Sequence, residues 1–128
     1  MRAVKDRNTA PEMLVRRLCH KLGYRFRLHR KELPGKPDLV FPALKKIIFV
    51  NGCFWHGHHC KRGARLPGAN LAYWRSKLRR NAQRDRNNAR ALSTLGWEIM
   101  TVWECETHSA EELTGSLRQF LSRSARKA

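Results

Sequence analysis

Acidic residues are scarce. Only 10 Asp and Glu stand against 27 Lys and Arg in 128 residues, a formal charge of +17 at neutral pH. That imbalance makes a polyanion the expected partner, nucleic acid first among them, because a bound polyanion relieves the self-repulsion of so small a cation. Long apolar runs are also missing. The opening MRAVKDRNTAPE holds no stretch of signal-peptide length, and nowhere do apolar residues run to the roughly 18 of a membrane span, so a cytoplasmic protein without membrane contact is expected. Internal repeats, low-complexity tracts and Pro/Gly/Ser-rich linkers are absent, which points to one domain over residues 1–128, with 122–128 a frayed basic tail. Heptads are lacking, so a monomer is expected. What remains is an ordinary globular mixture, 41% hydrophobic and 29% charged, which fits neither a disordered nor a fibrous chain.

Thr9 followed by Glu12, with Pro11 between them, predicts a helix over Ala10 to Lys21 with Leu14, Leu18 and Leu22 as its buried stripe. Tyr24, Phe26 and Leu28 alternate with Arg25, Arg27 and His29, the period of a half-buried strand. LPGKP at 33–37 turns the chain. Two short apolar strands follow, Leu39 to Phe41 and Ile47 to Val50, expected to pair as a hairpin. Apolar residues at three- and four-residue intervals then predict a long helix from Leu71 to Leu95, stopped by Gly96, with arginines on its other faces. A buried strand over Trp97 to Trp103 and a closing helix over Ala110 to Leu121 complete the order. Such alternation predicts an α/β sheet in two or three layers rather than a barrel.

Residues 51–70 show no periodicity, and so long a plain loop is anomalous in a compact domain unless something organises it. Cys53, His58 and Cys60 lie within it, and thiolates with an imidazole suit tetrahedral Zn²⁺. Cys105 completes a Cys₃His site if the strands ending near Val50 and Trp103 leave the sheet at one edge. A zinc closed by four protein ligands is structural. Cys19, in the first helix, reads as a buried apolar thiol.

Chemistry therefore needs a second centre. Asp38 follows Pro37 at the start of a strand, where it fits a turn residue as well as a projecting metal-binding carboxylate. Phosphodiester hydrolysis beside it would call for Mg²⁺. His56, outside the zinc set, is available as a proton acceptor. Asp85 falls on the apolar stripe of the long helix, either orienting a catalytic group or pairing with an arginine at the surface. Phe54, Trp55 and Trp74, beside basic residues, can stack on bases or simply pack inside. Trp97 and Trp103 are read as core.

Together these residues resemble the very short patch repair endonucleases, the Vsr-type mismatch nickases. LPGKPDLVF at 33–41, FVNGCFWHGHHC at 49–60, NAQRDRNN at 81–88 and GWEIMTVWEC at 96–105 carry the likeness, which extends from about Met1 to Phe120. The resemblance implies a restriction-endonuclease-like (PD-(D/E)XK-type) α/β fold, a central mixed sheet flanked by helices, with structural Zn²⁺ and catalytic Mg²⁺. It implies double-stranded DNA with a T:G mismatch from 5-methylcytosine deamination, nicked 5′ of the thymine, and mismatch-repair proteins as possible associates. Asp38 matches the family's metal-binding carboxylate and Val50 a residue lending its backbone carbonyl to Mg²⁺. His56 matches the general base, Asp85 a supporting acid, and Glu12 an acid near the metal through water. Cys53, His58, Cys60 and Cys105 match the zinc ligands, and Phe54, Trp55 and Trp74 the wedge beside the mismatch. Arg75, Arg79 and Arg84 are expected to meet phosphates.

The chain departs from the pattern at three places. Val50 replaces a threonine, Asn51 stands where some members carry a second active-site histidine, and Met1 aligns inside a family N-terminal segment that embraces DNA, which would weaken the grip if Met1 is the native start. Two rival readings remain open: a less selective nuclease of a restriction-type system, and a non-catalytic zinc module that binds nucleic acid.

Overall fold

A computed structural model of the chain describes residues 9–52 and 70–122. Helix α1 (Ala10–Lys21) starts as the capping signal requires, with the Thr9 side chain accepting the Glu12 N–H at 3.4 Å. Its buried positions are Glu12, Val15 and Cys19. The expected stripe of Leu14, Leu18 and Leu22 is thus displaced: these leucines are half-buried and flank the core. The inward face is shifted because the first turn carries a buried carboxylate, and the apolar line continues from it at helical spacing through Val15 and Cys19.

Strand β1 (Arg27–Leu28) is shorter than the alternating pattern predicts, although Tyr24 and Phe26 still pack on the core. Strands β2 (Leu39–Phe41) and β3 (Lys46–Asn51) form the expected antiparallel hairpin, with Leu39 opposite Ile48. Helix α2 (Leu71–Thr94) ends at Leu95, and Gly96 follows at φ +93°. Strand β4 (Glu98–Trp103) runs parallel to β3, a short 3₁₀ turn follows at Glu104–His108, and helix α3 (Ala110–Ser122) closes the order. The sheet is mixed, in the order β1-β2-β3-β4.

Side chains alternate across this sheet, so each strand feeds two cores. Leu39, Phe41, Ile48 and Val102 face one layer, where Val15 and Cys19 of α1 meet Leu113, Leu117, Phe120 and Leu121 of α3. Val40 and Ile47 face the other, against Leu92 of α2. The three-layer form of the expected α/β sheet is the one observed. β4 is less buried than predicted, since only Val102 is fully covered and Trp97 and Trp103 are half-buried. An edge strand has a neighbour on one side only. Leu71 and Leu95, at the two ends of α2, are exposed. Among the described residues one cation is buried: Lys46 donates to the Phe120 carbonyl near the end of α3, where the helix dipole favours positive charge. No helix among the described residues is long and apolar enough to cross a membrane.

Leu92 is fully buried and links α2 to the sheet. Leu92→Ala is expected to cost about 2–5 kcal/mol in a urea titration.

Candidate active site

The register of two hairpins brings the site together. Leu28 lies opposite Leu39, so the chain between β1 and β2 returns with His29 beside Asp38, and the His29 N–H donates to the Asp38 carbonyl at 3.2 Å. On the other side of β2 the ladder stops at Leu39 and Ile48. Continued by two residues, that register sets Pro37 against Val50. Proline has no N–H to give, so the Val50 carbonyl is offered no main-chain donor by Pro37. The Val50 N–H donates to the Asp38 carboxylate, 2.7 Å from Oδ2. A strand residue presents its N–H and C=O on the same side in an antiparallel ladder, so the Val50 carbonyl faces the same region.

Glu12 reaches this point from α1. It is 2% exposed, its Oε2 lies 2.8 Å from His29 Nε2, and the same oxygen takes the guanidinium of Arg16 one helical turn on. Arg16 also lies 3.4 Å from the His29 ring nitrogen. Glu12, His29 and Asp38 each offer one ligand atom within 4.8 Å of the others. Burial pushes the Asp38 carboxyl up to about 6; the Val50 N–H opposes the shift, the Glu12 carboxylate adds to it, and His29 opposes it. Two partly desolvated carboxylates and an imidazole, with a backbone carbonyl beside them, fit a divalent cation, which would relieve the crowding of negative charge.

The site opens into a cleft of about 280 Å³ lined by Asp38, Val50 and Asn51 from the hairpin and by Asp85, Asn88 and Ala89 from α2. Gly35 shapes its rim. It sits at φ +80°, and a Cβ there would lie 3.1 Å from Asn88 and 3.2 Å from Phe49, so only glycine lets this turn approach the helix.

The sequence-derived site is thus assembled in part. Asp38, Val50, Asn51 and Asp85 share the cleft, and Glu12 stands behind Asp38. Asp85 is half-buried, as its place on the helix stripe predicts. Trp74 is half-buried in the first turn of α2, edge-on to Tyr73 at 5.3 Å, while Arg75, Arg79 and Arg84 are exposed. Cys53, Phe54, Trp55, His56, His58 and Cys60 lie outside the described residues. Cys105 is half-buried in the 3₁₀ turn after β4. Asn51 pairs with Trp103 in the parallel register, so the chain segments leading to Cys53 and Cys105 leave the sheet at the same edge, meeting the condition set for a shared ligand set. Cys19 is fully buried and its thiol is pushed up to about 12 by burial, an inert position. Sequence reading missed His29, treating it as one polar member of a strand. The signal was available: a hairpin folded about the LPGKP turn sets position 29 against 38.

Carboxylates and an imidazole converging at a strand end, under a helix whose outer face is arginine-rich, define a nuclease-type centre on a mixed α/β sheet. Comparison with known proteins agrees. The profile of the family described as DNA mismatch endonuclease Vsr matches residues 1–62. The chain is 49% identical over 121 residues to the type II nicking enzyme V.XorIIP of Xanthomonas oryzae pv. oryzae, covering 94% of this chain and 88% of that one. It is 40% identical over 114 residues to the DNA mismatch endonuclease Vsr of Escherichia coli K12, covering 89% and 72%. With the type II nicking enzyme V.NmeAIP of Neisseria meningitidis it shares 39% over 106 residues, covering 83% and 75%. The chain belongs to the Vsr family of DNA endonucleases.

Because the folded chain holds the Asp38 proton more tightly than the unfolded chain does, the metal-free protein loses stability as the pH rises from about 4 through about 6. Asp38→Asn, which keeps an acceptor for Val50, is expected to raise metal-free stability at pH 7–8 by about 1–2 kcal/mol, with the gain vanishing below pH 4. Urea midpoints measured across pH in chelator check this.

Proposed function

We propose that the protein nicks double-stranded DNA 5′ of the thymine in T:G mismatches left by 5-methylcytosine deamination, and so starts a short-patch repair in the cytoplasm. The observation that carries the reading is the meeting of Asp38 and the Val50 backbone at one cleft whose far wall is the basic helix α2, with Glu12 grouped beside Asp38. Asp38 and the Val50 carbonyl are the proposed holders of Mg²⁺, which when bound neutralises charge on the phosphate and acidifies water. His56 takes the proton of the attacking water, Asp85 supports that transfer across the cleft, and Asn51 takes the place of a second histidine without its basicity. Cys53, His58, Cys60 and Cys105 hold a structural Zn²⁺ that orders the loop carrying His56.

Mismatch choice follows from deformability. A wobble pair stacks less well than its neighbours, so inserting Phe54, Trp55 and Trp74 costs less there than the few kcal/mol of a matched step. Arg75, Arg79 and Arg84 meet phosphates and place the duplex. A second reading, a nicking enzyme of a restriction-type system acting without a mismatch, draws on the names of two relatives, both type II nicking enzymes.

End-labelled duplexes differing only at T:G or C:G, incubated with protein and Mg²⁺, separate the two. A nick confined to the T:G strand and abolished by chelator is expected; equal cutting selects the second reading, and no cutting of either removes both. Asp38→Ala is expected to abolish cutting and keep DNA binding. Arg79→Ala should weaken binding to every duplex alike and lower the slope of log affinity against log salt by about 1.

A further inference from the structure

His29 is the member of the Glu12–His29–Asp38 group with the most constrained backbone. Its φ is +47°, a left-handed conformation that histidine adopts several-fold more readily than most residues with a Cβ, and its N–H is tied to the Asp38 carbonyl at 3.2 Å. These restraints keep the ring at the carboxylates: Nε2 lies 2.8 Å from Glu12 Oε2, and Arg16, one turn further along the same helix, contacts the same Glu12 oxygen.

We propose that His29 Nε2 is a protein ligand of the divalent cation, making this a mixed carboxylate–imidazole centre that favours Mn²⁺ and Co²⁺ over Mg²⁺. The inference rests on the reading of Asp38 as the cation's carboxylate. Its geometric basis is the 4.8 Å within which the three donor atoms fall. Ligands on opposite sides of an ion at about 2.1 Å are roughly 4.2 Å apart, so a small side-chain adjustment closes the set. Its chemical basis is donor type. Mg²⁺ prefers oxygen and keeps its waters, whereas an imidazole nitrogen strengthens binding along the series from Mn²⁺ to Co²⁺. Without metal, the hydrogen bond to Glu12 holds the ring in place; on binding, Nε2 gives up any proton it carries to solvent and offers its lone pair, while Arg16 continues to hold Glu12.

The test uses the full chain. Spin-echo spectra of bound Mn²⁺ are expected to show nitrogen coupling that is lost in His29→Gln and kept in His56→Gln. Calorimetry is expected to show Co²⁺ affinity falling about tenfold or more in His29→Gln, with Mg²⁺ affinity changed less than about threefold. Should His29→Gln fail to fold by circular dichroism, His29→Asn, which accepts positive φ, takes its place. Nitrogen coupling and Co²⁺ affinity that survive loss of the imidazole, while Asp38→Asn abolishes binding, overturn the role of His29 alone. Native affinity in Asp38→Asn overturns the metal centre itself.

Discussion

The hydrogen bond from the Val50 N–H to the Asp38 carboxylate is the joint on which the site depends. Where the β2–β3 ladder runs out, a side chain replaces the main-chain acceptor that the next rung would have used. The substitution ties a catalytic-type carboxylate to the fully buried hairpin of Leu39, Val40, Ile47 and Ile48. It also explains the proline. Pro37 ends the donor row opposite Val50, so the β2–β3 ladder stops where the chemistry begins.

Around that joint the three layers divide the work. One face, packed with α1 and α3, delivers Glu12 and its attendant Arg16 from behind. The other face carries α2, which presents Asp85 and Asn88 to the cleft and keeps arginines outward. Burying two carboxylates together is costly, and the upward shift of Asp38 is the mark of that cost. Arg16 and His29 offset part of it.

Much of this was legible in the residues. The N-terminal cap and bounds of α1, the Pro-ended strand at Leu39–Phe41 and the glycine stop of α2 are local signals, and local signals survive folding. Asp38 and Asp85 were legible as chemistry in a chain poor in acids, each with an equally good structural explanation until the hairpin and α2 brought them to one cleft. The inward face of α1 was not legible, because a buried glutamate in the first turn contradicts the rule that charge stays outside, and only its partners, His29 just past β1 and Arg16 on the helix itself, explain it. His29 was hidden for a similar reason. Its role arises from register and a positive φ, neither of which shows in a pattern of alternating residues.

Helix α2 has 24 residues, and at about 1.5 Å each it is a rod of about 36 Å. One turn of duplex advances roughly 34–36 Å. Its first and last arginines, Arg75 and Arg90, stand 15 residues or about 22 Å apart, so the charged stretch is shorter than one duplex turn and concentrates its field over the middle of the rod.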